Sequence, residues 1–319
     1  MNSCKARSSI ATLCLLTLGA IAAAQTAPVA DVTVIAPAPP SAQELTPEGL
    51  YQFVVHHATV HFVNTGTERN LARWRGGMQS ICPATSGLDP GYNAFVTMRL
   101  RALAAYVGAP VQADTNCKTN VQIRFTNNPQ QTMDEVMKWA TGPAFRNRYS
   151  GGMKHLIEYK SDHAIQGWYF TTTGGSIVLN TDPSLVGISV WPLWPQVTQN
   201  NLGVNAIGTR VGASSGSGIG IGTVILVVDT KEVVGATIGP IADYLSMLTL
   251  SVVQSPDHCD PLPSILDLKS TNCGARQAPT TMTAGDFAFL KALYAAPGIS
   301  PSFSRDEIQD NMMRQFNPR

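Results

Sequence analysis

One apolar run and one apolar stripe dominate the pattern of hydrophobic and polar positions. Thr223-Val-Ile-Leu-Val-Val228 is an almost unbroken apolar run and predicts a buried strand. After it, Val234, Ile238, Ile241, Leu245, Leu248 and Val252 recur in steps of three and four, which predicts a long helix ending near Val253. Gly239-Pro240 marks a start or kink near its N-terminal end, because proline is tolerated in a first turn where its missing N–H has no partner anyway. Asp243 and Tyr244 on this helix read as a polar pair on its exposed side.

Weaker patterns surround this centre. Thr46-Pro47-Glu48 can cap a short helix, and Tyr51 to Val63, rich in Phe and Val, reads as a strand. Tyr92 to Val107 has Phe95, Met98 or Arg99, Ala102 and Tyr106 at helical spacing, with Gly108 as its stop. Asn120 to Phe125 alternates as a strand does, and a short helix, Met133 to Ala140, follows. Ile165–Phe170 and Ser176–Asn180 read as neighbouring strands, whereas Trp191-Pro-Leu-Trp-Pro195 is too proline-rich for a sheet interior and reads as a loop packed by Trp191 and Trp194. Residues 201 to 222 are glycine-rich and read as a mobile hairpin or lid. Thr283-Ala-Gly-Asp286 caps a last amphipathic helix, Phe287 to Tyr294, and the tail holds a short helix around Asp306 to Met313.

Composition changes this picture at the N-terminus. Of 319 residues 44% are hydrophobic, as in a packed protein, but the first 24 pair Lys5 and Arg7 with an apolar run from Ile10 to Ala23 and small residues before Gln25. That is the pattern of a cleaved secretory signal, and the run is shorter than the roughly 20 residues that span a bilayer. Residues 25–44, rich in Ala and Pro, read as a linker, 45–296 as a single domain and 297–319 as a tail. Cleavage turns the formal charge of +1 into −1 by removing Lys5 and Arg7, so nothing steers the chain to nucleic acid or an anionic membrane. It also leaves Cys82, Cys117, Cys259 and Cys273. An even cysteine number in an exported chain predicts disulfides, and the sequence-local pairing Cys82–Cys117 with Cys259–Cys273 is preferred among three. A zinc site of four cysteines would want a C-x-x-C knuckle, which the chain lacks.

Candidate chemistry is sparse. His56, His57 and His61 cluster in one segment. On a strand His57 and His61 share a face, whereas in a helix they stand one turn apart, the spacing of a metal pair, but with no glutamate beside His57 to act as a base. Gly218-x-Gly220-x-Gly222 precedes its strand, where a dinucleotide loop must follow one. Gly212-Ala-Ser214-Ser-Gly216, with Asp243 or Asp257 and His258 downstream, matches a hydrolase elbow in order but lacks the strand before and the helix after. His258 beside Cys259 and Asp260 reads as a solvated loop.

Several of these segments together carry a resemblance. Val227-Val228-Asp229, Ile241-Ala-Asp-Tyr244, Leu262-Pro-Ser264-Ile265 and Thr283-x-x-Asp286-x-x-Phe289-Leu290-x-x-Leu293-Tyr294 resemble a group of exported bacterial proteins of unknown function, as do Arg73-Trp74-Arg75, Cys82-Pro83 and Cys117-x-x-Asn120. More remotely, the order strand, long helix, Pro-Ser-Ile and closing helix is similar to zincin-like metallopeptidase domains, whose helix carries His-Glu-x-x-His for zinc and its water. Here Asp243-Tyr244-Leu-Ser-Met247 stands at that place, with no histidine between Lys231 and Val253. The resemblance implies an α+β domain with a mixed sheet packed on a long central helix. It implies a zincin-like frame without zinc or another cofactor and a non-catalytic binding or envelope-associated role, which joins the reading of the N-terminus and the cysteines as a periplasmic or secreted chain with two disulfides and no membrane anchor after cleavage. Asp243, Tyr244 and Met247 would line the former cleft. The alternative is a metal-dependent hydrolase using His56, His57 and His61.

Overall fold

The computed structural model describes residues 34, 45–58, 60–62, 69–76, 80–132, 134, 164–173, 219–253, 259–270, 273–274, 277–295 and 304–316. In chain order these form helix α1 (Pro47–His57), strands β1 (Val60–Phe62), β2 (Arg69–Leu71) and β3 (Pro83–Ser86), and helix α2 (Pro90–Tyr106). Strands β4 (Val121–Thr126), β5 (Ile165–Thr173) and β6 (Ile219–Asp229) follow, then the short α3 (Thr230–Val233) and α4 (Ile238–Leu250). A 3₁₀ turn (Ile265–Leu268) and helices α5 (Ala284–Ala295) and α6 (Arg305–Phe316) complete them. The expected helix at Met133–Ala140, the strand Ser176–Asn180, Trp191, Trp194, Ser214, Asp257 and His258 fall outside the described residues, apart from Asp134.

The architecture is α+β. β3, β4, β6 and β5 form a mixed sheet in that order, with β3, β4 and β6 parallel and β5 antiparallel to β6. β6 is flanked on both sides, and residues 221–228 are all buried, which is why its sequence is an apolar run and not an alternation. Register pairs Val121 with Val224, Ile123 with Leu226 and Phe125 with Val228, and these side chains share one face with the main core. On that core α2 and α4 pack against each other. At the end of β3 the chain turns through Gly87, where φ is 96° and an added Cβ would stand 1.8 Å from Phe125 O, so only glycine fits.

Three expectations are corrected. Tyr51–Val63 is a strand only at Val60–Phe62, and its first part is helix: Thr46 Oγ1 accepts from Gly49 N at 3.0 Å, Pro47 opens the first turn, and the helix runs on to His57. Its buried side chains, Leu50, Phe53, Val54 and His57, recur at helical spacing, and that stripe outweighs the β propensity of Phe and Val. The long central helix is shorter than expected: after the brief α3 the chain turns through Gly235 at φ 81°, α4 begins only at Ile238, beside the Gly239-Pro240 start signal, and Val234 is 82% exposed instead of heading an apolar stripe. From Ile241 to Leu250 every residue of α4 is buried, so Asp243 and Tyr244 lie inside the protein and not on an exposed side. A helix enclosed all round shows its stripe but hides which polar residues go in with it.

Asp260, expected in a solvated loop, is also buried and paired with His56, whereas the other described segments stand close to the sequence. α2 covers the expected helix and buries Phe95, Val96, Arg99, Leu100, Leu103 and Ala104, so Arg99 and not Met98 belongs to the inner face. Both disulfides have the sequence-local pairing, Cys82–Cys117 with Cα atoms 6.0 Å apart and Cys259–Cys273 at 5.1 Å. Gly220 and Gly222, expected in the glycine-rich lid, are part of β6. α6 packs on α1 and α5 and puts Ile308 and Met312 into the common core. No helix among the described residues is long and apolar enough to cross a membrane.

Candidate functional site

Two buried polar centres lie against α4, and both are built from residues far apart in sequence. The first is Asp243, wholly enclosed in α4. Arg99 of α2 donates to it through Nε at 2.7 Å and Nη2 at 3.1 Å, and Met282 N donates to its second oxygen at 2.9 Å. This forked geometry matches guanidinium to carboxylate, and the backbone donor adds a third bond to the charge. Asp243 is thereby a brace that joins α2, α4 and the entry to α5. Tyr244 is 3% exposed and Met247 is fully buried, so the three residues expected to line a cleft sit in the core.

The C-terminal end of α4 is satisfied from three directions. A helix end leaves its last carbonyls without intrahelical partners, and here the end is buried. Tyr169 Oη donates to Leu248 O at 2.7 Å, Trp74 Nε1 to Thr249 O at 2.8 Å and Tyr294 Oη to Leu250 O at 2.6 Å. Burial pushes the Tyr294 phenol well above its ordinary value, so it stays a donor. Arg73, beside Trp74, donates to Leu293 O at 3.0 Å, and burial together with Arg75 lowers its guanidinium from the usual range.

The second centre joins α1, the loop before the 3₁₀ turn, and α5. His57 lies 3.8 Å, ring to ring, on Phe53 and is 3% exposed. Its Nδ1 donates to Phe53 O at 2.7 Å, and its Nε2 stands 2.9 Å from Ser264 Oγ. Ser264 Oγ in turn lies 2.7 Å from Asp286 Oδ1 and accepts from Leu266 N at 3.1 Å. Asp286 Oδ2 accepts from Ile265 N and Thr283 N, each at 2.8 Å, while Asp286 N donates back to Thr283 Oγ1 at 3.1 Å, the reciprocal cap that the Thr283-x-x-Asp286 spacing foretold. Burial raises the Asp286 carboxyl from 3.8 to about 6, against the lowering effect of its hydrogen bonds from Thr283, Ser264 and Ile265. On the outer side His56 Nδ1 meets Asp260 Oδ1 at 2.6 Å, and Asp260 Oδ2 lies 3.8 Å from His57 Nδ1.

The order His–Ser–Asp is not that of a hydrolase triad. The serine stands between the other two, 1% exposed and serving as the cap of the 3₁₀ turn, where a nucleophile needs an open face and a base at its own proton. Nor does the helical metal spacing arise: α1 ends at His57, and His61 lies on β1, paired with Asn70. Cys259, Asp267 and Cys273 bring their ligand atoms within 4.8 Å of one another, but the two sulfurs form a disulfide and Asp267 closes the capping box on Ser264 N.

The sequence pointed to Asp243, Tyr244, Met247 and the histidines, and missed Arg99 as a partner of Asp243, Asp260 as a partner of His56 and Ser264 as the link to His57. Only the Thr283–Asp286 cap had a local signal. His57 and Ser264 are 207 positions apart, and no spacing rule reaches that far. Comparison of the chain with known protein families, curated proteins and solved structures gave no match.

Proposed function

We propose that this is an exported, disulfide-stapled domain with a zincin-like frame that has given up zinc chemistry and serves a binding or envelope-associated role. One observation carries the reading: Asp243, Tyr244 and Met247, standing where the resemblance would place His-Glu-x-x-His, are enclosed in the core, and Asp243 is bound to Arg99 and Met282 N. A catalytic zinc site keeps a position open to water and substrate. Here the corresponding turn of helix is filled and braced.

Supporting it, β6, α4, the Pro263-Ser264-Ile265 loop and α5 follow one another in the order that suggested the frame, and α5 holds that loop through Asp286. Two disulfides fit an oxidising compartment, and the signal-like N-terminus supplies the route. The test is elemental analysis of the mature protein purified from periplasm and medium without chelator. Less than a tenth of a zinc per chain is expected, with no rise in melting temperature on adding zinc. About one zinc per chain, lost in the His57→Ala/His61→Ala variant, would overturn the reading in favour of a metal-dependent hydrolase.

A further inference from the structure

We propose that His57, Ser264 and Asp286 form a closed buried chain that holds one proton beyond the serine's own, and that loss of this proton loosens α1 from the Ser264 loop and α5. The count follows from hydrogen-bond direction. Phe53 O can only accept, so His57 Nδ1 carries hydrogen. Two bonds then link Nε2, Ser264 Oγ and Asp286 Oδ1, and each needs a hydrogen, while the serine has one. The second sits on Nε2, giving an imidazolium and a carboxylate, or on Oδ1, giving two neutral groups. Asp286 Oδ2 already accepts from two backbone N–H groups, so a carboxyl proton belongs on the Oδ1 side, facing the serine.

In either arrangement the chain is neutral and every link is made. Without the proton it carries a net negative charge in a dry place, and one link becomes a contact between two acceptors. The neighbouring charges do not replace it. On α1 and the loop before the turn, His56 is paired with Asp260, and Asp260 also faces His57 Nδ1. Asp267 of the 3₁₀ turn caps Ser264 N, Arg305 of α6 donates to Ala58 O and Val55 O at the end of α1, and α4 brings Asp243, bound to Arg99, and Tyr244. Beside His57 a cavity of about 10 Å³, lined by Ala72, Ser251 and Phe289 among others, leaves room for a single water, which is where loosening would begin. In an exported protein this tie between three segments is exposed to the pH of the surroundings.

The experiment compares the full chain with Asp286→Asn by denaturant unfolding from pH 4 to pH 7.5. The amide can donate to Ser264 and accept from Ile265 N and Thr283 N, so the variant closes the same chain without the extra proton. A carboxyl raised from 3.8 to about 6 contributes its stability fully below about pH 4 and loses it as pH rises through 6. The unfolding constant of the wild type relative to the variant should therefore rise about a hundredfold over that range, then level off. A constant ratio would overturn the proposal. If Asp286→Asn does not fold, imidazole nitrogen NMR of the wild type decides. His57 should keep hydrogen on Nδ1 throughout, while either Nε2 or the Asp286 carboxyl carbon, read in the same titration, changes in one step as the proton leaves; a neutral ring with a bare Nδ1, or no change at either group, would overturn it.

Discussion

At Asp243 a formal charge sits fully buried, and among the described residues it is met by two nitrogens of Arg99 and the Met282 amide. Removing one partner of such a pair leaves the other buried and uncompensated, which costs about 3–5 kcal/mol. Asp243→Ala should therefore lower the unfolding free energy by that amount, read as a lower urea midpoint with the slope unchanged, and Asp243→Leu/Arg99→Met should recover most of the loss. If Asp243→Ala is within about 1 kcal/mol of wild type, the brace has been misjudged. The pair also shows why this site was half legible. A charged residue on a helix is by default read outward, and Arg99 competed with Met98 for the same inner position. Only the fold, which brings α2 and α4 together across 144 positions, tells that both charges go inside.

Elements were more legible than residues where the pattern was local. The strand β4, the helix α2 and the cap of α5 each carry their own signal: alternation, helical spacing stopped at Gly108, and Thr283 three before Asp286. α1 reads as a strand in the sequence because β-favouring residues hide the spacing of Leu50, Phe53, Val54 and His57. The sequence carries α4 on to about Val253 because its apolar stripe continues to Val252, and Val252 and Val253 are buried although the helix stops at Leu250. What stops it is tertiary: Tyr169, Trp74 and Tyr294 take its last carbonyls. Trp74→Phe keeps most of the ring's burial but leaves Thr249 O without its donor, and Tyr294→Phe does the same to Leu250 O. Each should cost about 1–3 kcal/mol in chemical unfolding, whereas Tyr92→Phe, at an exposed position, should change nothing measurable.

For the whole molecule the two disulfides act on a body that is already held by other means, and this separates their effect on stability from their effect on structure. Cys82 closes a span of 35 residues with Cys117, and Cys259 a span of 14 with Cys273. Loop-closure entropy gives about 4 kcal/mol for the first and about 3 kcal/mol for the second, because each link restricts the unfolded chain. The junction of β3 and β4 does not depend on the first link for its register. Asn120 receives Cys82 N on Oδ1 at 2.8 Å, donates through Nδ2 to Ser80 O at 2.9 Å, and its backbone N donates to Cys82 O at 3.0 Å. Cys82→Ser/Cys117→Ser should thus lose about 4 kcal/mol while its near-ultraviolet circular dichroism stays that of the wild type. Asn120→Ala removes the bracket from the folded state, leaving Cys82 N and Ser80 O without it, and should lose about 1–3 kcal/mol even with the disulfide intact. If removing the disulfide alters the folded spectrum and removing the bracket alters nothing, the covalent link, and not the asparagine, sets the register on which the sheet beneath α2 and α4 is built.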